Sequence, residues 1–332
     1  EVPKRDWSSD VCSSDLLWLG AGFVGIVGIL MFLQAASSMV MVLIVHRWFV
    51  TIKPDLDFAA IIRIVKMAAP FAILMSFGVL MRRVDILFLG WLRPLDDVAL
   101  YGIASRFYDF LAIFSGGMVG ALYPALAAKI RCSGEESWKL YCDSLSLFAS
   151  VGFGAALASV ALAEPMIGWI FGEKYVSAST ALCWLGLSFF FTVLSGPAGI
   201  LVLATGDRVY WLVLLSLGVL LANIVLNLTL IPFYTYNGAG IAACGSTLVA
   251  FVGKMLLARS YFGRFPPVHR IAWRSAVAAV VMGAILYSLR ANNVVVLIAG
   301  GFVLYVALLT VLGEFSKEMY ASLGGRLHRV FG

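Results

Sequence analysis

The sequence predicts an all-α polytopic membrane protein with about nine transmembrane helices. Three observations predict it. Hydrophobic residues make up 62% of the 332-residue chain and charged residues 13%, whereas soluble globular domains carry roughly 45–50% apolar and 25% charged residues. The apolar residues fall in blocks, and nine blocks reach the roughly 20 residues that a helix needs to cross a bilayer. Lys and Arg collect in alternate connections between blocks, as in a chain threading back and forth across a membrane. A net charge of +6 would suit nucleic acid in a soluble protein. Here the cations lie between apolar blocks, so no nucleic-acid partner is expected.

The first residues stand apart. Asp6-Trp7-Ser8-Ser9-Asp10-Val11-Cys12-Ser13-Ser14-Asp15-Leu16 resembles the conceptual translation of a sequencing-adapter oligonucleotide. Residues 1–16 are therefore set aside as an artifact, expected to be disordered, and the chain is expected to be a fragment without its true N-terminus. The predicted spans follow at about 18–46, 64–91, 98–126, 141–163, 178–204, 209–231, 238–259, 271–290 and 293–313. Breakers separate them: Lys53-Pro54-Asp55, Arg93-Pro94, Gly134-Glu135-Glu136, Gly206-Asp207-Arg208 and Pro266-Pro267. The stretch from Gly313 to Gly332 is too short and charged to span and reads as an amphipathic cytoplasmic tail.

Charge asymmetry sets the direction of threading. Arg47, Lys53, Arg63, Lys66, Lys129, Arg131 and Lys139 fall in one set of connections, continued by Arg208, Arg259, Arg264, Arg270 and Arg274 and by Lys317, Arg326 and Arg329 of the tail. The opposite connections hold only Arg93, Lys174 and Arg290. The positive-inside rule then places the basic loops and the C-terminus in the cytoplasm. Gly28 and Gly240, Arg47 and Arg259, and Pro54 and Pro266 share one offset, which suggests a parallel repeat of six helices.

Several stretches, in order, resemble the oligosaccharide flippases (Wzx-type) of the multidrug/oligosaccharidyl-lipid/polysaccharide superfamily. They begin with Ala69-Pro70, Arg83-Val84-Asp85-Ile86-Leu87-Phe88-Leu89-Gly90, Leu100-Tyr101-Gly102-Ile103-Ala104 and Tyr123-Pro124-Ala125-Leu126. They continue with Ile170-Phe171-Gly172-Glu173-Lys174-Tyr175, Asn223 to Asn227, Leu230-Ile231-Pro232 and Gly238-Ala239-Gly240-Ile241-Ala242. The resemblance implies twelve to fourteen helices in two six-helix lobes, of which this chain supplies the C-terminal part. Residues 17–57 would be the last helix of the N-terminal lobe, 58–262 the six-helix C-terminal lobe, 263–313 two extra helices and 314–332 the tail. It also implies export of a polyprenyl-diphosphate-linked oligosaccharide across a bacterial inner membrane by alternating access, for O-antigen or exopolysaccharide synthesis. Membrane lipids, a polysaccharide polymerase and chain-length machinery would be its partners.

Charges inside spans cost roughly 2.5–3.5 kcal/mol each on insertion scales, so they are candidate functional groups. Arg82, Arg83 and Asp85 lie in the second span, and Arg106 and Asp109 in the third. Both groups contain Arg-x-x-Asp, which puts each pair on one helix face. Helical rise places Arg82 roughly 21 Å and Arg106 roughly 18 Å from the inner boundary, nearly in one plane. They could be ion pairs that hold helices in register, or a site with surplus guanidinium groups. Arg suits phosphate because its planar fork donates two parallel hydrogen bonds. Arg82, Arg83 and Arg106 are accordingly expected to bind the diphosphate, with Asp85 and Asp109 orienting them or coupling an ion.

Lys254 is expected to snorkel to the cytoplasmic surface, and Asn223 and Asn227, one turn apart, to hydrogen-bond between helices. Cys132, Cys142, Cys183 and Cys244 have no zinc-ligand spacing, and His46, His269 and His328 do not join them. With no P-loop, GxGxxG or HExxH, no enzyme activity, metal or cofactor is expected. The rival readings are a multidrug and toxin extrusion exporter, a membrane-embedded glycosyltransferase or polymerase, and a scaffold of an assembly complex. The Arg surplus opposes the first, since organic cations favour an acidic cavity, and the short outward connections oppose the second.

Overall fold

The apolar blocks become helices because no lipid-facing backbone group can be left without a hydrogen-bond partner. A computed structural model describes residues 23–48, 58–130, 134–206, 208–290 and 293–313. The readings of residues 1–16 as an artifact and of 314–332 as a tail lie outside the described residues. The helices, in order, are α1 (Phe23–Trp48), α2 (Phe58–Leu92), α3 (Leu95–Ile130), α4 (Gly134–Phe171), α5 (Ser179–Leu194), α6 (Gly196–Thr205), α7 (Val209–Phe262), α8 (Val268–Ser288) and α9 (Val294–Val311). A 3₁₀ turn, Glu173–Ala178, leads into α5.

Two of these elements depart from one helix per span. Pro197 has no N–H to donate to the carbonyl four residues back, so the fifth span divides into α5 and α6 at Ser195. Conversely, α7 is 54 residues long and contains one non-helical residue, Thr235, at φ 54°. The chain doubles back there. A Cβ on Gly238 would lie 2.5 Å from the Leu230 carbonyl oxygen, one on Gly245 2.9 Å from Leu226 and one on Gly253 2.3 Å from Leu215. Such pairings descend in register only in an antiparallel hairpin, so 209–234 and 236–262 are two spans joined without a loop. Glycines on the second limb let the first approach closely. Among the described residues eight continuous stretches are long and apolar enough to cross a membrane, and with α7 folded in two they match the nine predicted spans. The chain is a multi-pass membrane protein.

The fold divides into two units, residues 1–67 and 68–332. The first holds α1 and the opening turns of α2. In the second, α4, α5 and α7 pack around Leu182, Ile167, Ile231 and Ala239, and the C-terminal end of α2 and start of α3 join them through Leu89, Tyr101 and Ala104. The α8–α9 hairpin packs on α4 through Ala161, Ala278, Met282 and Tyr305. The Tyr305 hydroxyl donates to the Ser150 carbonyl at 2.7 Å, and Ser150 and Ser275 share a 2.7 Å hydrogen bond.

Contacts between connections define two faces. On one, Arg264 Nη2 donates to both carboxylate oxygens of Glu135, at 2.8 and 2.9 Å, Arg208 bonds Ser260, and Arg274 donates to the Gly313 carbonyl. On the other, Tyr236 donates to the Ser177 carbonyl, Thr180 to Asn237, and Arg290 approaches Glu164 at 3.4 Å. The first is the basic face that the charge asymmetry predicts.

Candidate functional site

The site is built where the α2–α3 hairpin meets α7. α2 ends at Leu92 and α3 begins at Leu95, so residues equally far from that turn face each other. Asp85 and Tyr101 are such a pair, and the Tyr101 hydroxyl donates to Asp85 Oδ2 at 2.9 Å. From the first limb of α7, Asn227 Nδ2 donates to Asp85 Oδ1 at 2.8 Å and Asn223 Nδ2 to the same oxygen at 3.1 Å. Asn223 Nδ2 also donates to Ser246 Oγ on the second limb at 3.2 Å. Asp85 is 6% exposed, Asn223 2% and Asn227 0%. Burying a carboxylate away from water is costly, and these three donors supply the compensating hydrogen bonds.

A cavity of about 80 Å3 opens beside this knot, with room for several water molecules. Arg82, Arg83, Asp109, Tyr108, Ser188 and Thr247 also line it. Asn227 Oδ1 is buried with no hydrogen-bond partner among the described residues. An acceptor left unsatisfied inside protein costs about 1–3 kcal/mol. The Asp85 carboxylate lines the cavity and is a hard oxygen donor of the kind that suits a small cation. No cluster of three or more His, Cys, Asp or Glu occurs among the described residues, so a transition-metal centre finds no donor set there.

The expected residues part company. Asp85 is buried, whereas Arg82, Arg83, Arg106 and Asp109 are exposed. Among the described residues no arginine lies within ion-pair distance of Asp85 or Asp109, so the spaced Arg-x-x-Asp pairs do not close on themselves. Exposed side chains keep their rotamer freedom, and Asp85 finds donors on other helices instead. Arg82 and Arg83 reach the cavity, and Arg106 follows Ser105, which lines it. The hydrogen bonding expected of Asn223 and Asn227 is present.

Lys254 departs from its expected course to the membrane surface. Its ammonium donates to Ser195 Oγ at the α5–α6 junction, at 3.1 Å. Helical side chains lean toward the N-terminus of their own helix. For the limb 236–262 that direction leads away from the basic face. Tyr101 and Ser246 have no assigned role in the sequence reading. The equal distance of Asp85 and Tyr101 from the α2–α3 turn is a signal that finds the first, while nothing local marks Ser246.

With this geometry in hand, the family model for polysaccharide biosynthesis proteins matches residues 11–180, just over half of the chain. Among solved structures the chain is similar to the lipid II flippase MurJ in an inward closed conformation. The TM-score is 0.67 at 16% identity, over 87% of this chain and 60% of that one. At that identity the likeness is one of fold, and the chain spans only 60% of that structure's length. No curated protein matches it.

Proposed function

The chain belongs to the polysaccharide biosynthesis protein family, and from that premise we propose that it is the C-terminal part of a flippase for a polyprenyl-diphosphate-linked oligosaccharide. The flippase moves the sugar headgroup outward across a bacterial inner membrane by alternating access, for O-antigen or exopolysaccharide synthesis. The basic face and C-terminus are then cytoplasmic. The neighbour of like fold is named a lipid II flippase, which supports a lipid-linked substrate and transport rather than catalysis. A polysaccharide polymerase and chain-length machinery would receive the exported product.

One observation carries the reading. Arg82, Arg83 and Arg106 are exposed on membrane-spanning helices, at a depth that helical rise puts near the middle of the bilayer, and two of them line the cavity beside Asp85. Guanidinium groups at that depth are strongly disfavoured against lipid, so the surface that bears them faces water or a polar ligand. Three such groups against the single exposed carboxylate of Asp109 leave a net positive site. A diphosphate headgroup matches it in charge and in the bidentate geometry guanidinium offers. In this reading Asp109 orients the arginines, and Asp85, which lines the cavity, holds the cation that couples transport.

The test is transport of the lipid-linked substrate by the complete protein in reconstituted vesicles. The triple variant R82Q/R83Q/R106Q should lose at least tenfold in rate while keeping its unfolding midpoint. Intact transport would sink the diphosphate assignment.

A further inference from the structure

Lys254 has no part in the site just described, yet it is an intramembrane cation, half-buried, with no carboxylate in ion-pair distance among the described residues. Asp85 is its mirror image, a buried carboxylate with no cation in ion-pair distance among the described residues. Two opposite, unpaired charges thus lie in one packed unit. A polar seam links their surroundings through an otherwise apolar interface. Asn223 joins Asp85 to Ser246. One residue on, Thr247 donates to Ser188 Oγ at 3.2 Å. Along the same face of α5, Thr192 donates to the Ser188 carbonyl, Ser195 to the Thr192 carbonyl, and Lys254 to Ser195 Oγ.

We propose that Lys254 is the fixed counter-charge of the Asp85 pocket and sets that pocket's affinity for a monovalent cation. The inference rests on the reading of Asp85 as an ion site. Lys254 follows Ser246 by eight residues, about 12 Å of helical rise, and its side chain leans back toward the pocket. At that distance and an effective dielectric of about 20, a unit charge changes a cation's affinity roughly tenfold. Arg82 and Arg83 are nearer in sequence, but both are exposed. Water at the cavity mouth reduces a similar charge to roughly two- to threefold. The half-buried lysine therefore outweighs the exposed arginines in the field at Asp85. It weakens cation binding, so that the ion can leave again.

The experiment is the unfolding midpoint of the full chain in detergent as sodium chloride replaces choline chloride at constant ionic strength. K254M should raise the apparent sodium affinity about tenfold, K254R should leave it unchanged, and D85N should abolish the sodium response. K254Q keeps a hydrogen-bond donor for Ser195 and carries the same test if K254M does not fold. Wild-type sodium affinity in K254M or K254Q, with D85N still abolishing the response, overturns the role of Lys254 alone. A wild-type protein without any sodium response that D85N removes overturns the ion-site reading of Asp85, and this inference with it.

Discussion

Asp85 and Asp109 each lie three residues after an arginine on neighbouring helices, yet Asp85 is buried in three hydrogen bonds while Asp109 stays exposed. Spacing on a helix offers the same arginine to both. What differs is the surface each carboxylate meets. Asp85 faces Tyr101 on α3 and two asparagines on α7, preorganised donors that it reaches without ordering a long flexible side chain. Asp109 is left at the cavity mouth beside Arg82 and Arg83. The pair teaches that donors from distant sequence fix one intramembrane acid in a rigid, buried pocket. The other, without them, keeps its rotamer freedom at the surface.

The largest effect should come from removing the Asp85 acceptor. D85L leaves the Tyr101 hydroxyl and two carboxamides without a partner, and should cost about 2–4 kcal/mol of stability, membrane hydrogen bonds lying at the low end of the usual range. Thermal unfolding in detergent reads this directly, and a midpoint equal to wild type would show that the knot carries no stability. Next, a double-mutant cycle between Y101F and D85N should give a coupling of about 1 kcal/mol. D109N should shift stability by less than about 0.5 kcal/mol, as for an exposed substitution away from packed features. A loss as large as that of D85N would erase the contrast. The smallest value belongs to the R82Q/D85N cycle, where coupling below about 0.3 kcal/mol is expected of two residues that share no bond. A coupling equal to that of the Tyr101 cycle would restore the ion pair that spacing suggests.

Most of the fold is legible because hydrophobicity in a membrane protein is a length measurement. Each predicted span has a helix over it, and Gly263, the last residue before the α7–α8 turn, ends its helix in the left-handed conformation. The ends are less legible. α2, α3 and α4 run 35, 36 and 38 residues, because helical hydrogen bonding continues past the apolar limit into stretches such as Glu135–Lys139. The reversal between residues 231 and 238 is legible, but its closure at Thr235 without a loop is not, since a non-glycine residue at positive φ has no sequence signature. At the site, Asp85 is marked by its cost alone. Its partners Asn223 and Asn227 lie 138 and 142 residues away, beyond any periodicity. The direction of Lys254 is not legible from depth alone, because the lean of a helical side chain toward its own N-terminus opposes snorkelling here.

The spread of Asp85's partners along the chain also has a consequence for biogenesis. Tyr101 follows Asp85 by 16 residues, whereas Asn223 follows it by 138. At roughly 5–20 residues per second of synthesis, Tyr101 is made within about 1–3 s and Asn223 only after roughly 7–30 s. In that interval Tyr101 is the only one of the three donors yet made. The α2–α3 hairpin therefore carries a half-satisfied acid as it leaves the insertion machinery. The later arrival of α7 supplies the missing donors.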